Sequence, residues 1–298
     1  MTLRRHLSAA LAAAALMTFA ASSAVAGPWS LAPGEYYTEL RGSFFSASSY
    51  YADNGDRIAT NTLYESRSLR SYSELGWKKH LSVQLSLPAV SNTFRDSDDH
   101  IATSNSGLGD FGFGMRWSFA NGAKATALQL AWQAPTGCNP ALNPALGDGN
   151  QALSAALHLG GTAGKNAFWQ ASAGYKYDYR SAGARSTDAA ADGAAAVDWA
   201  DHFTTDGAVG LWMGDLNVAG QWVAELPMSS GRALETQWVL AGPRLTYRVD
   251  ERIDAFAGSW HSPVGKNVLH IDEYYAGVTW KATKLNRMQG FLGGSKRP

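Results

Sequence analysis

Between residues 35 and 281 the chain repeats one pattern twelve times: about ten residues of alternating apolar and polar side chains, then a turn. Successive side chains of a strand point to opposite faces, so a period of two marks a β-strand with two unlike sides. The segments are 35–46, 63–77, 81–90, 107–119, 123–134, 150–160, 166–180, 201–213, 215–227, 234–248, 251–261 and 270–281. In 81–90, Leu81, Val83, Leu85, Leu87 and Ala89 oppose Ser82, Gln84 and Ser86. In 107–119, Phe111, Phe113, Met115, Trp117 and Phe119 oppose Asp110, Gly112, Gly114, Arg116 and Ser118. The patterns of 166–180 and 215–227 are equally regular.

Alternation alone also suits a soluble sandwich or a lipocalin-like barrel, and the connections decide. Lys78-Lys79-His80, Ala120-Asn121-Gly122, 160–165, Met213-Gly214-Asp215 and Val249-Asp250-Glu251 are tight turns. Between them lie the longer segments 47–62, 91–106, 135–149, 181–200, 228–233 and 262–269. Short turns on one side, longer loops on the other and an even strand count belong to outer-membrane barrels. The expected fold is therefore all-β: a single transmembrane, antiparallel, up-and-down β-barrel of about twelve strands covering 27–281. Both termini are expected in the periplasm and the long loops outside. Tyr36, Trp77, Trp117, Trp132, Trp222, Tyr247 and Trp280 near strand ends suit the aromatic belts of a membrane protein. Three places fit less well: 63–77 does not alternate throughout, Pro243 interrupts 234–248, and the Ala-rich stretch 189–196 suits a helical turn in its loop.

The first residues agree with this compartment. Arg4, Arg5 and His6 precede an apolar, alanine-rich run at 7–21, and Ala24-Val25-Ala26 places small residues before Gly27. This is the pattern of a secretory leader, 1–26, cut at an A-x-A site. The run is short for a membrane-spanning helix, and no other window supplies one. Only eight residues then separate Gly27 from the first strand, too few for a long plug, so any obstruction of the lumen is expected from inward side chains or loops. Loop 135–149 is more readily a surface loop than a constriction. Residues 282–298 form a basic tail, expected to be periplasmic and solvated. The whole chain balances 25 basic against 25 acidic residues. Nothing in that balance suggests nucleic-acid binding. Cys138 is the only cysteine, which rules out an internal disulfide.

Several motifs are more specific than the rhythm. Tyr72-Ser73-Glu74-Leu75-Gly76, Leu81-Ser82-Val83, Leu87-Pro88, Gly107-Leu108-Gly109-Asp110 and Pro135-Thr136-Gly137 occur in order. Gly242-Pro243-Arg244-Leu245-Thr246-Tyr247-Arg248 and the Gly265 segment follow. Together they resemble the outer-membrane family named for the meta pathway of phenol degradation, whose members are described as transporters. The resemblance covers most of the chain after the leader. It implies passive passage of small molecules, hydrophobic or aromatic ones among them.

On the expected inner face stand Glu39, Arg41, Arg70, Glu74, Asp110, Arg116, Lys176, Asp178, Arg180, Asp206, Glu225, Arg244, Arg248, Asp254 and Glu273. A Lys or Arg facing lipid at the midplane costs roughly 2–4 kcal/mol, which drives such residues inward as lumen-lining candidates. They either line an aqueous path or pair into a network that fills it. His80, His100, His158, His202, His261 and His270 are scattered, with no serine-hydrolase motif or zinc-ligand spacing. Acidic residues in 91–106 match no calcium loop. No catalytic residue, metal or cofactor is expected, and the chain does not read as an enzyme. The expected partners are outer-membrane lipid and lipopolysaccharide, the barrel-assembly machinery and a small-molecule solute. The alternative reading is a non-conducting surface or assembly barrel that binds a partner or supports export of a surface polymer.

Overall fold

The computed structural model describes residues 27–96, 100–136, 144, 146–147, 150–180, 200–228 and 235–282. The expected leader 1–26, the Ala-rich stretch 189–196 read as a helical turn, and the expected tail from 283 lie outside them. The strands are β1 (Tyr36–Tyr51), β2 (Arg57–Lys78), β3 (Leu81–Asp96), β4 (Ile101–Leu108), β5 (Phe111–Asn121), β6 (Lys124–Ala134) and β7 (Asn150–Ala163). They continue as β8 (Ala167–Arg180), β9 (His202–Met213), β10 (Leu216–Pro227), β11 (Gln237–Arg248), β12 (Ile253–Lys266), β13 (Val268–Leu269) and β14 (Asp272–Ala282). Each pairs antiparallel with its neighbour, and β1 pairs with both β2 and β14, which closes the sheet. β4 prolongs β5 and β13 leads into β14, so the wall has twelve staves. Closure satisfies each stave's backbone on both sides, which a wall in lipid requires.

β1 begins and β14 ends at one rim, here the near rim, where the tight turns lie. His80 (φ 69°), Gly164 (φ 64°) and Gly214 (φ 64°) take left-handed backbone there. At the far rim the structure departs from expectation. Much of 47–62 and 91–106, expected as loops, continues the ladder: β1 and β2 meet across residues 52–56, and β3 runs on to Asp96 to pair with β4. The strands outrun their apolar pattern because beyond the hydrocarbon layer neither face has to be apolar.

Segment 107–119, read as one strand, is two. Val90 pairs with Gly107, and Gln84 pairs with Gly114, so the register slips by one residue at Gly109-Asp110. A one-residue slip exchanges the faces, and the residue at the bulge turns inward. Segment 63–77 does alternate between the two faces up to Gly76; its pattern looks imperfect because Glu65, Arg67, Ser71 and Ser73 take outward positions, and the register shift between Gly76 and Lys78 comes only at its end. Pro243 has no N–H to give, and the β11–β12 ladder omits it: pairing steps from Ala241–His261 to Arg244–Gly258. Gly242 allows the close approach this needs, since a Cβ there would collide with the Ser259 carbonyl.

The outer face is apolar. Leu69, Leu85, Leu108, Leu130, Leu153, Val209 and Val278 are all exposed. Trp77, Trp117 and Tyr247, 54%, 58% and 55% exposed, ring it near the tight turns, with Trp132, Tyr177 and Tyr274 toward the far rim. Trp222 is an exception to the expected belts, because it sits mid-strand, opposite Gly207 and Ala241.

Candidate functional site

Inward-pointing residues of β1–β14 surround the lumen, and the buried charges among them meet in sets. Glu74 and Arg116 pair at 3.1 Å, only 3% and 2% exposed. Glu74 also accepts from the hydroxyls of Tyr72 (3.0 Å) and Ser82 (2.5 Å). Arg244 donates to Glu39 at 3.2 Å and lies 4.0 Å over the Phe256 ring. Lys176 stands between Asp178 (3.6 Å) and Glu225 (3.5 Å), and His202 joins Asp178 (3.2 Å) to Thr236 (3.2 Å). Buried ions need such partners, since an isolated one costs several kcal/mol.

The remaining expected positions are more varied. Arg41 and Arg70 are buried directly opposite one another on β1 and β2, with Arg41 5.3 Å over Tyr275. Asp206 accepts from Ser172, and Asp254 from Lys281 (2.7 Å) and Thr279 (3.2 Å). Glu273 is half-buried. Arg248 is exposed at the near rim, 4.5 Å over Trp212. The side chain of Arg180 lies outside the described residues.

Two inserts narrow the lumen, and both depart from expectation. The first is the stretch before β1. From the Gly34–Gly76 backbone hydrogen bond (2.8 Å) it crosses the near mouth. Asn121 Nδ2 donates to the Ser30 carbonyl (3.0 Å), Trp29 Nε1 to the Gly122 carbonyl (2.9 Å), and Arg116 to the Gly27 carbonyl (2.9 Å). Pro28 is fully buried against Gly160, and Gly27 reaches Gln170 on β8. In a ring of twelve staves β8 stands opposite β1, so eight residues suffice to strap the mouth across its diameter. The second insert is the described part of loop 135–149. Leu146 is buried against Gly107 and Gly109, and Gly147 lies against the Asp110 carboxylate, where a Cβ would collide. Thr136 fixes the base of this inward fold: its hydroxyl donates to the Gly109 carbonyl (2.8 Å) and accepts from the Phe111 amide (2.9 Å). Gly107-Leu108-Gly109-Asp110 and Pro135-Thr136 thus meet at the bulge, with glycines where the loop must approach closely.

Among the described residues a cavity of 160 Å³ lies against the β3–β10 wall. Gln84, Gln129, Gln133, His158, Ser172 and Lys176 are among its lining residues. The facing wall is apolar and largely aromatic: Phe45, Tyr64, Phe94, Trp238, Leu240, Phe256, Trp260 and Tyr275 form one buried cluster. Of the sequence candidates, Arg116, Lys176, Asp206 and Glu225 line the cavity, while its glutamines and the aromatic cluster were passed over. The glutamines and His158 carried a signal in their parity with charged neighbours, and Trp238 and Trp260 in their parity with Arg244 and Asp254. At the far rim Lys266 pairs with Glu235 (2.9 Å) and Asp53 (3.3 Å). The hydrogen bond to Glu235, with help from Asp53, holds its ammonium above the ordinary lysine range.

A closed barrel with an apolar outside and a charged inside defines a transmembrane β-barrel of the outer-membrane type. No protein-family model and no curated protein matches the chain. Among solved structures the chain is similar to the COG4313 outer membrane channel from Pseudomonas putida F1, at 12% identity and a TM-score of 0.69 over 85% of this chain and 97% of that one. It is also similar to the NanC porin, at 12% identity and a TM-score of 0.51 over 82% of this chain and all of that one. At such identities the likeness is one of fold.

Proposed function

We propose that this protein is an outer-membrane channel for passive passage of small molecules, with hydrophobic or aromatic solutes among them. The observation that carries the reading is the lumen, where a cavity lined by Gln84, Gln133, His158 and Lys176 together with Tyr72, Ala152, Ala156 and Val223 lies inside a lipid-facing cylinder. A small solute with an apolar body and a polar edge finds both kinds of lining there. The sequence motifs favour membership of the family named for the meta pathway of phenol degradation, and a solved channel shares the fold. In this reading the inward charges, Arg116 and Lys176 foremost, set the field along the path. Residues 1–26 are the leader, the barrel-assembly machinery inserts the chain, and lipopolysaccharide surrounds the far rim.

Planar-bilayer recording of the purified barrel tests the reading. Discrete conductance steps are expected, with an ion selectivity that moves toward cations in Arg116→Ala, because a fixed positive charge leaves the path. A barrel that inserts yet passes no current under any applied voltage would overturn it in favour of the non-conducting alternative.

A further inference from the structure

The outer wall at the far rim carries a group that the lumen does not use. His261 on β12 and Asp272 on β14 are direct cross-strand partners, and both side chains are half exposed or more. Residues so paired on one face have Cβ atoms about 5 Å apart. His270, two residues before Asp272, is buried and fixed: its amide donates to the Ser49 carbonyl (2.9 Å), and the Tyr51 ring packs on it at 5.7 Å. The two imidazoles meet edge to face at 5.4 Å, and His261 Nδ1 contacts the Asp272 carboxylate. One nitrogen from each histidine and one carboxylate oxygen lie within 4.8 Å of one another.

We propose that His261, His270 and Asp272 bind a divalent transition-metal cation of the zinc class on the outer wall. A tetrahedral zinc site with bonds of about 2.0–2.1 Å places its ligand atoms about 3.3 Å apart. Small rotations of the two exposed side chains, which part His261 from the Asp272 carboxylate and draw both toward His270, bring the set to that size while His270 stays fixed. Two imidazoles and one carboxylate suit zinc, cobalt or nickel, whereas calcium and magnesium take oxygen ligands. Three protein ligands leave a fourth position open to solvent. The position along the wall fits as well. Tyr274, the next outward residue of β14 and 65% exposed, belongs to the aromatic belt, so the site lies one step beyond the hydrocarbon layer, where water reaches it. The bound cation would clip β12 to β14 where the chain turns back through β13.

Calorimetric titration with zinc tests this on the full barrel, prepared without a polyhistidine tag and stripped with EDTA. The wild type is expected to take up about one zinc ion, with His261→Ala and Asp272→Ala each weakening binding roughly tenfold or more. Both side chains are exposed, so heat-modifiable migration in detergent gels should show both variants folded. Cobalt should give the intense visible bands of a tetrahedral site in the wild type alone. Equal zinc affinity in the wild type and the folded variants would overturn the proposal, as would magnesium competing as well as zinc. Bilayer conductance should be the same in His261→Ala and wild type, because the site lies outside the lumen; this separates its failure from that of the channel reading.

Discussion

A barrel refolded without residues 27–31 should conduct several-fold more current than one refolded from Gly27. The strap lies across the near mouth, held by Arg116, Asn121, Trp29 and the buried Pro28. Its removal clears the near mouth and frees Arg116, which also lines the 160 Å³ cavity, from its contact with the strap. Current through a pore follows its narrowest section, so clearing one of two inserts matters most if that insert is the narrower. Single-channel recording of the two refolded proteins is the measurement. Equal conductance would assign control to Leu146 and Gly147 at the bulge. A shortened barrel that also carries Leu146→Gly, which trims the other insert, should then show the increase.

The second large effect concerns stability. Glu74→Ala should cost about 3–5 kcal/mol, because it leaves the Arg116 guanidinium buried without its ion partner. The hydroxyls of Tyr72 and Ser82 lose their shared acceptor in the same step. A double variant, Glu74→Leu with Arg116→Met, should recover much of the loss, since a well-packed apolar pair can replace a buried ion pair at little net cost. Urea midpoints of unfolding in detergent report both. Losses that simply add in the double variant would show that the two residues do not act as a pair.

The fold was legible because lipid imposes one apolar face on every stave, and Leu81 to Ala89 or Phe111 to Phe119 record that demand residue by residue. Where the demand lapses, so does the record. Stretches such as 47–51 and 91–96 prolong β1 and β3 without an alternating sequence, because no lipid meets them. The strap carries no periodicity at all: its role comes from length and from the turn at Gly34. The bulge at Gly109-Asp110 left a trace in its glycines, but only the partner strands reveal the slip. Most of the candidate charges could be assigned to the inner face by parity, yet their pairing could not. Glu39 meets Arg244 from 205 positions away, because the sheet closes β1 onto β14 and brings β11 within reach. Likewise His261, His270 and Asp272 look scattered until the β12–β14 register sets them side by side.

The omission at Gly242-Pro243 has a consequence for how the wall is joined. The seam where the first and last strands meet, often pictured as a cylinder's weak line, is held by eleven consecutive residue pairs from Tyr36–Ala282 to Ser46–Asp272. The wall between β11 and β12 lacks rungs near its middle. Two staves away from its own closure the cylinder is therefore joined by fewer backbone pairs than at the seam itself.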